Sequence, residues 1–387
     1  MRISVGHWVD GDEFFGRHRE LRNLLEIMSN PKASVLIPGP RRIGKTSLVK
    51  EFIRRNQGDY HFVYFDLESR QSIIELCRDL IRQVQRSYPQ FVSKKGTLVT
   101  TWNTIAKMLP QLKVAGVVEL KTGEIHTEAR EFMDRMEDLL EELANLNFIF
   151  VFDEFSDFLW RLKEKDIGEV RFFLEWLRRL RQHGKIRMIV SGSINIISTV
   201  EELNLSDLIN DFTDLEIFPL KNTETKVFLS ALLSNIKISL TNDAMQFVVG
   251  RLADGIPFFV QLFASSLRSY READEELHDL EAIQKIYEKI TSKQHKEYID
   301  LHSRLRDYLS QNDYQAAIKI LAHLSSDPMI FDDLWPYVES ALTSKEQLNK
   351  LLKRLIDENY IELTNREYKF VSPMLADWWH RSYEWEK

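Results

Sequence analysis

Cysteine is almost missing from this chain. Cys77, in "IIELCRDLI", is the single one in 387 residues, so neither a disulfide framework nor a cysteine metal cluster can form. At that spacing the thiol reads as a small buried hydrophobe. Long apolar runs are missing too: stretches such as "NFIFVF" and "IPFFVQLFA" fall well short of the roughly 20 residues that cross a bilayer. The opening "MRISVGHWVDGDEFF" carries early acids and no uninterrupted apolar core, so it does not read as a secretion signal. Nor is there a global basic field. The formal net charge of −7 advertises neither a nucleic-acid nor a membrane partner. The chain reads as a soluble, cytoplasmic protein of two or three domains.

What is present begins at residue 39. Gly39-Pro40-Arg41-Arg42-Ile43-Gly44-Lys45-Thr46 satisfies the phosphate-loop pattern G-x-x-x-x-G-K-[ST]. Gly39 and Gly44 are expected to let the backbone curl until successive N–H groups point inward as an anion nest. The helix starting near Lys45 adds its positive dipole end. Lys45 would reach the β- and γ-phosphates, Thr46 would ligate Mg²⁺, and Ser47 is a further hydroxyl beside them. A chance strand–turn–helix could match the pattern. The apolar "ASVLIP" before it and the amphipathic Leu48, Val49, Phe52 and Ile53 after it speak for a nucleotide site.

A phosphate loop needs a partner acid, and "NFIFVFDEF" supplies one. Five apolar residues precede Asp153, which describes a parallel strand buried on both faces. Asp153 at its carboxyl end would hold Mg²⁺ through water. Glu154 is placed to polarise an attacking water, and an adjacent glutamate favours hydrolysis over mere binding. The pair could also simply end a strand at the solvent boundary. "HFVYFDL" (61–67), "IRMIVSGS" (186–193) and "DLEIFPL" (214–220) read as further strands alternating with helices. That alternation predicts an α/β fold, a parallel sheet covered on both faces. Ser193 is the first candidate for a γ-phosphate sensor and Ser191 the second, although both also read as turn residues.

These pieces together resemble a known family. "FFGRHREL" (14–21), "GPRRIGKTSL", "FVYFDLES", "FVFDEF", "SGS" and "ADGIPFF" (253–259) occur in the order seen in archaeal-type P-loop ATPases, AAA+-like proteins close to the STAND class. The resemblance implies ATP and Mg²⁺ as ligands, an additional-strand sheet, and a helical lid. It further implies that Gly16 and Arg17 shape the adenine side and that Pro257, in the lid, approaches the nucleotide. By its residues alone "FFGR" also reads as a turn before an amphipathic helix, and "DGIP" as a helix break.

Ring-forming members of such families present an arginine finger between the fourth and fifth strands, worth about 10³ to 10⁵ in rate. Residues 192–220 here contain no lysine or arginine. A ring motor is therefore disfavoured, and slow turnover suits a switch. The preceding helix offers Arg171, Arg178, Arg179 and Arg181, read first as a solvated basic face and only second as a finger in trans. Residues 90–130 read as an insertion with a hairpin around Lys121-Thr122-Gly123, followed by a helix with Phe132, Met136, Leu139, Leu140 and Leu143 inward.

The expected division is 1–220 for the ATPase domain, 221–300 for the lid and connecting helices, and 301–387 for a winged-helix domain. Three helical segments from residue 313, the last with Thr343 and Glu346 as a capping-box match, precede a hairpin at 360–371. Lys345, Asn349, Lys353, Arg354, Arg366 and Lys369 could face DNA. From Arg304 onward, however, eleven Lys/Arg stand against fourteen acids, which lacks the excess that neutralises phosphates. A protein partner or self-association is preferred. Trp378, Trp379 and Trp385 are expected to pack under the lid or the winged domain.

The leading expectation is an ATP-hydrolysing switch with ATP–Mg²⁺ at the α/β domain and lid. The alternatives are a DNA-binding ATPase of the origin-recognition or transposition-regulator type, and a nucleotide-stabilised scaffold that hardly hydrolyses.

Overall fold

The computed structural model describes residues 1–92, 97–108, 127–183, 186–193, 195–252, 255–272, 279–292 and 296–383. They form two compact units. One comprises Arg17–Gly39 and Lys45–Ile217; the other comprises Met1–Gly16, Pro40–Gly44 and Phe218–Lys387.

The first unit is α/β. In chain order it runs α1 (His18–Met28), β1 (Ser34–Pro38), α2 (Lys45–Asn56), β2 (His61–Asp66), α3 (Ile73–Ser87), α4 (Pro89–Val92), α5 (Thr97–Met108) and α6 (Thr127–Ala144). It continues with β3 (Phe148–Asp153), α7 (Phe155–Lys165), α8 (Ile167–His183), β4 (Arg187–Gly192), α9 (Asn195–Glu202) and β5 (Thr213–Asp214). The strands pair in parallel in the order β2-β3-β4-β1-β5. Every residue of β3 and β4 is buried, as uninterrupted apolar runs in a doubly covered sheet require. The inward residues foreseen for α6 are all buried.

Two expectations change. The strand foreseen at 214–220 is only Thr213–Asp214, and the Leu215 N–H donates the next bond to the Leu36 carbonyl. The hairpin at 121–123 lies outside the described residues. The arginines of α8 divide: Arg171 and Arg179 are solvent-exposed as expected, whereas Arg181 has 2 % of its side chain exposed and grips Asp211 with two hydrogen bonds of 3.0 and 2.7 Å. Arg179 pairs with Glu137 at 2.6 Å and Arg178 with Asp207 at 3.8 Å.

The second unit carries α10 (Asn222–Asn235), α11 (Asn242–Arg251), α12 (Pro257–Glu272), α13 (Leu280–Ile290), α14 (Lys296–Tyr308) and α15 (Gln311–Leu324). Then follow β6 (Met329–Ile330), α16 (Phe331–Val338), α17 (Lys345–Asp357), β7 (Ile361–Thr364), β8 (Glu367–Phe370) and α18 (Pro373–Tyr383). The three short strands form an antiparallel sheet in the order β6-β8-β7. Gly255, at φ 50°, lets its turn press on the Leu220 carbonyl, where any Cβ would collide. The cap of α17 is Ser344, whose hydroxyl accepts the Gln347 N–H at 3.3 Å, not Thr343. Glu346, foreseen as the partner of Thr343, is engaged instead by Lys350 at 2.8 Å.

Helix α18 fastens the helices of this unit together. Trp378 and Trp379 are buried, with Trp378 stacked on Tyr298 at 5.3 Å, while Trp385 lies outside the described residues. Asp377 accepts from Tyr287 at 2.5 Å and from Arg251 at 3.1 Å. Among the described residues no helix is long and apolar enough to cross a membrane.

Candidate functional site

The sheet brings the acid pair toward the phosphate-loop strand. β4 lies between β3 and β1, so β3 is two strand spacings, about 10 Å, from β1. In register, Phe152 stands against Val190 and Val190 against Leu36. One residue further on, Asp153 and Ser191 reach the carboxyl edge together, with Ser191 level with Ile37. This is the edge at which α/β sheets take their ligands.

Asp153 is 2 % exposed and is oriented from three sides. The Ser191 hydroxyl donates to Oδ1 at 2.5 Å, the Glu154 N–H donates to Oδ1 at 3.1 Å, and the Tyr64 hydroxyl donates to Oδ2 at 2.8 Å. Burial, and then the charge of Asp153, push the Tyr64 phenol far above its ordinary value, so Tyr64 remains a donor. The Lys50 ammonium lies 3.1 Å from the centre of its ring. Tyr64 is missing from the residues singled out in the sequence. Its one signal there is a polar tip near the carboxyl end of an otherwise apolar strand.

Glu154 follows at φ 54°, a left-handed backbone that costs a non-glycine residue about 1 kcal/mol or more. The turn separates Glu154 from the buried strand and starts α7 immediately behind it. Ser193, the first sensor candidate, does not face the acid. Its hydroxyl donates to Ser156 Oγ at 2.9 Å and its N–H to the same atom at 3.1 Å. Between the two serines, Gly192 passes so close to α7 that an added Cβ would lie 3.1 Å from the Ser156 nitrogen. The polar triplet thus combines one serine on the carboxylate, one close-approach glycine and one serine that ties β4 to α7.

The loop also departs from expectation in its glycines. Its left-handed positions are Arg42 at φ 71° and Gly44 at φ 101°. Gly39 contributes its carbonyl, which accepts from the buried Lys45 Nζ at 2.8 Å. The residues at the loop's middle face the second unit's own elements: the Arg42 guanidinium lies 3.8 Å over the Phe258 ring, and Arg41 pairs with Glu358. Pro257 is the first residue of α12, where its missing N–H costs nothing. Gly16 is left-handed at φ 66°, and Arg17 precedes α1 and pairs with Glu20 at 3.1 Å.

The donor set fits a nucleotide with Mg²⁺. Asp153 is held by neutral donors that aim it without cancelling its charge, and the Thr46 and Ser47 hydroxyls open α2 next to Lys45. No group of three or more His, Cys, Asp or Glu able to cage a metal occurs among the described residues. Mg²⁺ commonly relies on one or two protein ligands plus phosphate oxygens, which this arrangement suits.

Comparison with known proteins follows the same line. The Walker-type ATPase paby2304 of Pyrococcus abyssi superposes with a TM-score of 0.69 at 19 % identity, covering 98 % of this chain and 99 % of that one. The ORC2 protein of Aeropyrum pernix gives 0.59 at 13 % identity over 98 % and 95 % of the two chains. At these identities the likeness speaks for the fold. An uncharacterized ATP-binding protein of Methanocaldococcus jannaschii is 31 % identical over 102 residues, which span 26 % of this chain and 28 % of that relative. The family of ATPase domains predominantly from Archaea matches residues 14–263. A match of that extent, running from before the phosphate loop to beyond the Gly255 turn, makes the chain a member of this ATPase family.

Proposed function

We propose that the protein is a Mg²⁺-dependent, slowly hydrolysing ATP switch whose nucleotide state is passed to a C-terminal winged-helix domain. One observation carries the reading: the buried Asp153, aimed by hydroxyls and followed by the left-handed Glu154, at the edge of the sheet that leads into the phosphate loop.

In this reading the loop N–H groups and Lys45 grip the β- and γ-phosphates. Thr46 and, through water, Asp153 would hold Mg²⁺, which would supply charge neutralisation at the phosphates. Glu154 takes the proton of the attacking water. Ser191, with its hydroxyl on Asp153, is the sensor in place of Ser193. Gly16, Arg17 and Pro257 keep the adenine-side role that the family resemblance gives them. Arg178 and Arg181 of α8 are engaged by Asp207 and Asp211, which supports slow turnover without a finger from these two.

Helices α15, α16 and α17 followed by the β7–β8 hairpin support the winged-helix reading of the tail. Two of its candidate DNA-facing lysines are already engaged: Lys345 with Asp332 at 2.7 Å and Lys369 with Glu362 at 2.8 Å. Together with the excess of acids, this favours a protein partner or a second copy of the chain over DNA.

Two variants test the site. Lys45→Ala should abolish ATP binding. Glu154→Gln should keep binding while turnover falls by about 10² to 10⁴. Parent-like hydrolysis by both would remove the site assignment.

A further inference from the structure

The two arginines in the middle of the phosphate loop are held by elements of their own unit. Arg42 lies over Phe258, at the start of α12. Arg41 Nε stands 3.8 Å from Glu358 Oε2, and the two side chains are 15 and 16 % exposed. Glu358 is the C-cap of α17, where the last carbonyls add a partial negative charge of their own. Asn359, left-handed at φ 62°, turns the chain there into β7. The pair borders a shallow cleft also lined by Arg42, Phe259 and Tyr360.

A loop that receives a triphosphate gains from every cation it carries. An arginine is the side chain best suited to a phosphate, because its planar fork donates two parallel hydrogen bonds. A carboxylate set against it removes that charge. At 3.8 Å the Arg41 Nε is beyond hydrogen-bond reach of the Glu358 carboxylate. A carboxylate set against the loop's arginine subtracts from phosphate affinity, and this Nε contact is one that a phosphate could better.

We propose that Glu358 is an internal competitor of nucleotide phosphate. Its carboxylate occupies Arg41 when the loop lacks nucleotide; entering phosphate takes Arg41 over and releases the corner between α17 and β7. The inference rests on the reading of residues 39–46 as a phosphate site, and it supplies the route by which that site addresses the C-terminal domain.

Titration of the full chain with a fluorescent ATP analogue tests it. Glu358→Gln should bind the analogue about fivefold more tightly than the parent, the scale set by loss of one partly exposed ion pair. The gain should vanish when Glu358→Gln is made in an Arg41→Gln background. Glu362→Gln, which removes an equal charge from β7, should leave binding unchanged. If Glu358→Gln fails to fold, Glu358→Asp withdraws the charge by one methylene and should tighten binding about twofold. Unchanged affinity in the folded variant, a gain that persists without Arg41, or an equal gain in Glu362→Gln overturns the competition alone. A parent protein that binds no analogue at all overturns the phosphate-loop reading, and this inference with it.

Discussion

Two carboxylates of the α/β unit are held in opposite ways. Asp153 receives two hydroxyls and a backbone N–H, all neutral donors. Asp211 receives the forked guanidinium of Arg181, which also donates to the Leu208 carbonyl at 2.7 Å and lies 4.1 Å over the Phe212 ring. Neutral donors orient a carboxylate and leave its charge available to a cation. A guanidinium orients it and cancels the charge. The first arrangement costs stability and, in the proposed function, serves chemistry, whereas the second closes a helix against a loop. Burial alone thus says little about a buried acid's purpose; the charge of its donors says more.

Removing each charge in turn breaks the comparison most sharply. Asp153→Asn should lower Mg²⁺-dependent turnover by about 10² or more, because the acid is asked to anchor the metal. The same change should hardly lower the melting temperature, since no cation of the fold is left behind. Asp211→Asn should do the reverse. Turnover per folded molecule stays near the parent value, while stability falls by about 2 kcal/mol, because Arg181 is left buried without its counter-charge. The figure sits below the range for fully buried pairs because Asp211 keeps 27 % of its side chain in solvent. Urea unfolding and steady-state hydrolysis, measured on both variants, check the crossover. If both variants lose activity in proportion to stability, the distinction between the two acids fails.

A smaller effect separates the donors around Asp153. Tyr64→Phe and Ser191→Ala each remove one hydrogen bond to the carboxylate, and each should reduce turnover about tenfold, the usual worth of a hydrogen bond to a charged group. Ser193→Ala touches only the bond to Ser156 and should leave turnover within about twofold of the parent. A larger loss in Ser193→Ala than in Ser191→Ala would return the sensor role to the residue favoured by its place in the sequence.

That reversal of serines marks how far the sequence could be read. The phosphate loop, the buried run before Asp153 and the inward face of α6 were legible, because each rests on a local pattern of adjacent residues. Ser191 and Ser193 share a parity that places them on one face only while the strand lasts, and β4 ends at Gly192. Tyr64 meets Asp153 from 89 residues away, a distance at which no spacing rule operates. The left-handed Arg42 was hidden because glycine is where such a backbone is ordinarily sought. Arg181 lay among three other arginines on one helix. Only the return of the chain at Leu208 and Asp211 distinguishes it from its solvated neighbours.

Acid sharpens the comparison by separating the two units, with the smallest signal. The folded chain holds Asp211 below its ordinary value: burial alone would raise it, but the hydrogen bond and charge of Arg181 outweigh burial. A depressed carboxyl contributes stability that is complete above the unfolded value, about pH 4, and is lost as pH falls further. In the other unit, His302 Nε2 lies 2.8 Å from the Tyr314 hydroxyl and 2.9 Å from the Tyr383 hydroxyl. A neutral ring can accept from one of them through the Nε2 lone pair. Burial, with the charge of Arg306 added, pushes this imidazole down to about 4 from 6.5. The unfolded chain then binds a proton first, so stability is lost as pH falls from about 6.5 toward 4. Hydrogen exchange, corrected for its intrinsic pH dependence, should accordingly show α18 losing protection across that window while α8 keeps its own until the solution is more acidic. His302→Gln should flatten the response of α18 and leave α8 untouched. A joint loss of protection by α8 and α18 in the parent would mean that the histidine does not set the pH response of its unit.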